Sequence, residues 1–143
     1  MTRSAFFYGT LMSHAIIGDV LCGKQAPVAL KTQKLASLDL QPATLRRAKR
    51  YAVKHATYPG VVATEDEEDQ VQGILCCGLT SSDILALDDY EGDEYDRRPV
   101  EVWASHKAVP CQAYFWIAGP EQLHAHDWDY EDWVATHLPT YQV

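Results

Sequence analysis

Two short segments carry the side chains best suited to chemistry. Near the N-terminus, Phe6-Phe7-Tyr8-Gly9-Thr10-Leu11-Met12 runs from an apolar stretch into a turn. Gly9 has no Cβ, so it allows torsions or an approach distance that other residues refuse, and successive N–H groups can be left to meet a carboxylate or carbonyl oxygen. A helix starting nearby adds a modest positive potential. Taken by itself, Tyr-Gly-Thr is a weak motif and better describes a strand-ending turn that binds nothing. Past the middle, Leu87-Asp88-Asp89-Tyr90-Glu91-Gly92-Asp93-Glu94-Tyr95-Asp96-Arg97 sets one carboxylate, Glu91, between an aromatic ring and a glycine. Partial burial beside Tyr90 and Tyr95 would raise that carboxyl group toward the working range of a general acid or base. Composition alone favours a solvated Glu91 in the last turn of a helix, because Glu is seldom buried.

The elements that must position these groups are legible in outline. Ser4 to Tyr8 reads as a short aromatic strand closed by Gly9-Thr10, and His14 to Cys22 as a helix with Ile16, Ile17, Val20 and Leu21 on one side. Gly23 to Gln41, bracketed by Pro27 and Pro42, keeps no sustained period and is expected to be irregular with short elements. Ala43 to His55 reads as extended, with Tyr58-Pro59-Gly60 breaking the chain before Val61-Val62-Ala63. Val71 to Leu79 is the next strand, its Gly73 and Gly78 marking a bulge or a close backbone approach. Thr80-Ser81-Ser82-Asp83 is an N-cap cluster for a helix that Gly92 ends. Arg98 to Ala104 and Cys111 to Ile117 pair across a turn from Ser105 to Pro110. A last helix starts at or just before Asp129 and runs through Leu138, with Trp133 facing inward. Strands outnumber helices, and short turns mix with longer crossings, so the class is α+β with a strongly curved or closed sheet. At 143 residues, one domain spanning 1–143 is expected.

In this order and spacing, Tyr8-Gly9-Thr10-Leu11, Tyr58-Pro59-Gly60 and Leu87-Asp88-x-Tyr90-Glu91-Gly92-x-x-Tyr95-x-Arg97 resemble the signatures of the gamma-glutamylcyclotransferase-like superfamily, in its AIG2-like branch. The resemblance covers nearly the whole chain. It implies a small mixed β-barrel with helices packed outside and a pocket at one end. It places the catalytic acid/base on Glu91, and substrate binding on Tyr8, Gly9, Thr10, Leu11, Tyr58, Pro59, Gly60 and Tyr95. Tyr95 would donate its hydroxyl to Glu91 or to the substrate, while Asp88, Asp89 and Glu94 would be capping or exposed charges.

The reaction so implied is cyclisation of a gamma-glutamyl group to 5-oxoproline with release of the amine. The substrate holds nucleophile and electrophile together, so no cofactor or metal is expected. Two other readings remain open for the same family: proton transfer by Glu91 on a specialised metabolite in lyase, cyclase or isomerase chemistry, and a non-catalytic pocket that binds a small molecule.

Bulk properties narrow the partners. A formal net charge of -8 and a pI near 5.1 argue against non-specific nucleic-acid binding, which needs clustered Lys and Arg. The basic stretch Arg46 to Lys54 reads as a solvated face balanced by Glu65 to Asp69. No apolar run approaches the length of a membrane span, and the N-terminus lacks the apolar core of a secretory signal. Cys22, Cys76, Cys77 and Cys111 show no metal-binding or redox spacing, so reduced thiols in a cytoplasmic protein are expected. His124-Ala125-His126-Asp127 has metal-like composition but no partner cluster, and reads as an exposed loop.

Overall fold

The structure, a computed structural model that describes Thr2 to Tyr141, is built on β1 (Arg3–Phe7), β2 (Asp39–Arg46), β5 (Gln70–Leu79), β6 (Tyr95–Ala104) and β7 (Lys107–Trp116). These strands close into a barrel in the order β1-β5-β2-β6-β7. β1 runs antiparallel to β5 and parallel to β7, which it meets at Ala5 and Gln112, so the closed sheet is mixed. The fold is α+β, as the sequence implies.

The side-chain period of a strand divides the apolar residues into two layers. Phe6 and Tyr8 of the opening segment join Leu45, Val71, Leu75, Val102, Ala113 and Phe115 inside the barrel. Their neighbours Ala5 and Phe7 point the other way, into a layer with Ile16, Ile17, Ile84, Leu87 and Trp133. That second layer lies under α1 (His14–Cys22), α3 (Ser81–Glu91) and α4 (Tyr130–Thr136). Gly73 is where the layers crowd: a Cβ there would lie 2.3 Å from the carbonyl oxygen of Phe7 and 2.7 Å from the Phe6 ring. Gly78 has φ +98° and falls where the β1–β5 register slips, Arg3 facing Leu79 and Ser4 facing Cys77, which is a bulge. Cys76 and Cys77 face opposite sides of β5, the first buried and the second half-buried.

Several expectations need correction. Gly23 to Gln41 is ordered: α2 (Val28–Ala36) follows Pro27, and β2 begins at Asp39. α2 buries no residue completely and is held partly by charge, Lys31 to Asp19 and Lys34 to Asp83, each at 2.7 Å. The stretch from Ala43 is two strands, split at Arg47, where φ is 56°. β3 (Ala48–Ala52) pairs with β4 (Pro59–Ala63), so Pro59 and Gly60 open a strand, opposite Ala52 and Tyr51, instead of breaking the chain. β6 starts at Tyr95, and Pro99 sits well inside it; β6 meets β2 only at Trp103 and Thr44, so the proline occupies a stretch with no ladder on that edge. The β6–β7 turn is only Ser105-His106, both with positive φ (49° and 65°), and Ala104 already faces Lys107. α4 is capped by the Asp129 side chain and ends at Thr136, with Leu138–Thr140 forming a 3-10 turn before the chain reaches Tyr141.

Among the described residues no helix is long and apolar enough to cross a membrane.

Candidate active site

β1 delivers Tyr8 and Gly9 to one rim of the barrel, where Thr10–Met12 wind into a 3-10 turn. The turn is closed by Met12 N–H to the Gly9 carbonyl and Ser13 N–H to the Thr10 carbonyl. The amides of Gly9, Thr10 and Leu11, which open it, therefore have no acceptor inside it. A Cβ on Gly9 would stand 3.0 Å from Cγ and Cδ of Pro59, so the glycine lets this turn seat against β4. Arg50 of β3 donates to the Tyr8 carbonyl at 2.8 Å and pairs with Asp127, bracing the end of β1 from outside.

α3 brings the carboxylate. Its start is fixed by a capping box: Thr80 Oγ1 accepts from Asp83 N–H at 3.0 Å, and Asp83 accepts from Thr80 N–H at 2.9 Å. Eleven residues later the helix ends at Glu91, because Gly92 (φ 74°) turns the chain out of it toward β6.

Between that turn and that helix end lies a cavity of about 160 Å³. Of the residues named from the sequence, Tyr8, Gly9, Thr10, Leu11, Tyr58, Pro59, Tyr95 and Glu91 line it. Gly60 does not: its α-carbon faces Trp116, whose Cβ would be 2.9 Å from an added methyl group, so its role is packing. Tyr95 departs from expectation too, since its hydroxyl donates to the Pro59 carbonyl at 2.5 Å instead of reaching Glu91. Glu94, read as an exposed charge, also lines the cavity and accepts from Tyr58 OH at 2.9 Å.

The sequence reading missed Tyr114 and Tyr141 and gave Tyr90 no role beyond its neighbourhood to Glu91. All three line the cavity. Thr10 Oγ1 and Tyr90 OH are 2.6 Å apart, and Tyr90 OH is 2.6 Å from Tyr141 OH, giving a continuous line of hydroxyls along one wall. Tyr8 OH crosses to donate to the Tyr114 carbonyl at 2.7 Å. Six of the chain's eight tyrosines thus surround the cavity, which makes its wall polar without adding charge. The only signal available beforehand was the chain's abundance of tyrosine.

The charge that matters is on Glu91. Among the described residues nothing donates a hydrogen bond to its carboxyl group. Burial, reinforced by the neighbouring Asp88, pushes it up to about 8. The phenols respond in the same sense. Burial and then the Glu91 charge hold Tyr8 well above its ordinary value, and burial raises Tyr90, Tyr95 and Tyr114 as well, so these hydroxyls stay neutral. No group of three or more His, Cys, Asp or Glu among the described residues is arranged to hold a metal ion. His124 and His126 stack on one another with centroids 4.7 Å apart, and Asp127 is turned to Arg50.

This mixed barrel is a fold shared with gamma-glutamyl cyclotransferases. A solved structure described as gamma-glutamyl cyclotransferase superposes with a TM-score of 0.56 at 17% identity, over 82% of this chain and 68% of that one. The family model for gamma-glutamyl cyclotransferase, AIG2-like, matches residues 5–135, and the chain belongs to that family. AIG2-like protein D of Arabidopsis thaliana is 27% identical over 139 residues, 95% of this chain and 82% of that protein. The solution structure of another Arabidopsis thaliana protein superposes with a TM-score of 0.69 at 26% identity, over 96% of this chain and 75% of that one.

Proposed function

We propose that the protein is a cofactor-independent gamma-glutamyl cyclotransferase in which Glu91 carries the proton. The observation behind this reading is a carboxyl group with no hydrogen-bond donor among the described residues, lining a small cavity whose opposite wall offers backbone amides. The cavity suits an amino-acid head group. In this scheme the amides of Gly9, Thr10 and Leu11 meet an oxygen of the glutamyl head, and the phenols fix its orientation. The substrate's α-ammonium lies beside Glu91, and its positive charge draws the raised carboxyl back toward the ionised form.

Glu91 then removes a proton from the ammonium. The amine nitrogen attacks the γ-carbonyl carbon and closes the five-membered lactam. As the bond from that carbon to the departing nitrogen breaks, Glu91 returns the proton to it, and the ring nitrogen gives up its second proton to the released amine, leaving 5-oxoproline and the amine as its ammonium. One carboxyl group serves as base and then acid, a contribution of roughly 10²–10⁴-fold. Holding the substrate in its folded conformer supplies several kcal/mol more. Because the chemistry needs an ionised Glu91, kcat/KM rises as pH approaches 8 from below.

The test is incubation with gamma-glutamyl amines and dipeptides, including ε-(gamma-glutamyl)lysine, followed by mass spectrometry. Release of 5-oxoproline with the matching amine is expected. A blank across the panel contradicts the proposal.

A further inference from the structure

A second hollow, which shares Tyr95 and Tyr114 with the first, is lined by the ion pair of Asp88 and Arg97. Asp88 lies one helical turn before Glu91, so the two carboxyl groups share a side of α3. Their surroundings are opposite. Asp88 accepts from Arg97 Nε at 2.9 Å, from Arg97 Nη2 at 3.3 Å and from Tyr114 OH at 2.6 Å. Glu91 accepts from none of the described residues. Arg97 comes from β6 and Tyr114 from β7, so the end of α3 is tied to two barrel strands through Asp88 and not through Glu91.

We propose that Arg97, Asp88 and Tyr114 form a positioning cluster. Its fixed negative charge, one helical turn from Glu91 and held by an ion pair and a phenol, assigns the exchangeable proton to Glu91. When two carboxyl groups are neighbours, the proton goes to the one with fewer donors aimed at it. Asp88 holds three donors, so Glu91 takes the proton. The remaining polar groups around the cavity do not supply this bias. Tyr8, Tyr58, Tyr90, Tyr95 and Tyr141 contribute hydroxyls and not charges, Glu94 is exposed and bonded to Tyr58, and Arg50 is turned to the Tyr8 carbonyl and Asp127. The tyrosine that clamps Asp88 also lines the main cavity, so the cluster and the site share a wall.

The inference deepens the proposed role of Glu91 but is tested without any substrate. Carboxyl carbon shifts of protein labelled at glutamate are followed against pH, with Glu91→Gln identifying the signal by its loss. Asp88→Asn is expected to move the Glu91 midpoint down by about one pH unit, because a like charge is removed. Solvent reaches the ion pair, whose side chains are 32% and 36% exposed, which keeps the effect from being larger. Arg97→Gln is expected to move the midpoint up, because Asp88 loses its counter-charge. Tyr114→Phe moves it up by less. In an active preparation the acidic limb of kcat/KM follows the same directions. A purely structural cluster would lower Tm in these variants without opposite titration shifts. Asp88→Asn and Arg97→Gln moving the midpoint in the same direction, or neither moving it, would overturn the proposal. If Asp88→Asn does not fold, Arg97→Gln and Tyr114→Phe decide: an unchanged or lowered midpoint contradicts it. Failure of the substrate panel leaves this titration unaffected, so the two ideas fail separately.

Discussion

The two ends of α3 treat a carboxylate in opposite ways. At the start, Asp83 is 5% exposed and fully engaged, accepting from Thr80 N–H and pairing with Lys34 at 2.7 Å, at the positive end of the helix dipole. At the finish, Glu91 occupies the negative end, has Asp88 for a neighbour and receives no hydrogen bond from the described residues. Every local preference that stabilises the first carboxylate is missing or reversed at the second. One helix thus separates the anchor that holds it from the group it presents. A position left unfavourable beside a cavity, on a helix whose other end is over-determined, is where function is expected.

Breaking the anchor should have the largest effect on stability. Asp83→Ala removes the carboxylate half of the capping box and leaves Lys34 without its partner, which is expected to cost about 3 kcal/mol in denaturant unfolding, within the range for a broken buried pair. The Glu91 end should respond with the opposite sign. A carboxyl group raised on folding contributes stability that is present below its unfolded value and lost as pH rises through the folded one. Glu91→Gln is therefore expected to match the unsubstituted protein below about pH 4.5. It should gain as pH rises and level off above about 8, at an advantage of a few kcal/mol. Unfolding curves at pH 4 and pH 8.5 check this. A smaller sharpening comes from Thr80→Ala, which removes the hydroxyl of the capping box and should cost about 1 kcal/mol, independent of pH across the Glu91 range.

How far the sequence reveals this contrast depends on whether the cause is local. The capping box at Thr80 and Asp83 and the stop at Gly92 are written in neighbouring residues. Helix α2 was illegible because ion pairs to Asp19 and Asp83 help hold it in place of a buried apolar stripe, and its Val28 and Leu30 are exposed. The role of Gly60 was misplaced because its partner, Trp116, is distant in sequence. Tyr114 and Tyr141 joined the site only when β7 and the C-terminal segment folded over it. The hydroxyl of Tyr95 went to Pro59 for the same kind of reason: the nearest acceptor comes from β4 and not from its own segment.

The central claim is that Glu91 moves the proton in lactam closure. The direct measurement is 5-oxoproline release by Glu91→Gln beside the unsubstituted protein, on whichever gamma-glutamyl compound the latter consumes, with folding verified by circular dichroism. The account predicts a loss of roughly 10²–10⁴-fold in kcat by a variant that is folded and, at pH 8, more stable. Turnover by the glutamine variant at the unsubstituted rate would contradict it.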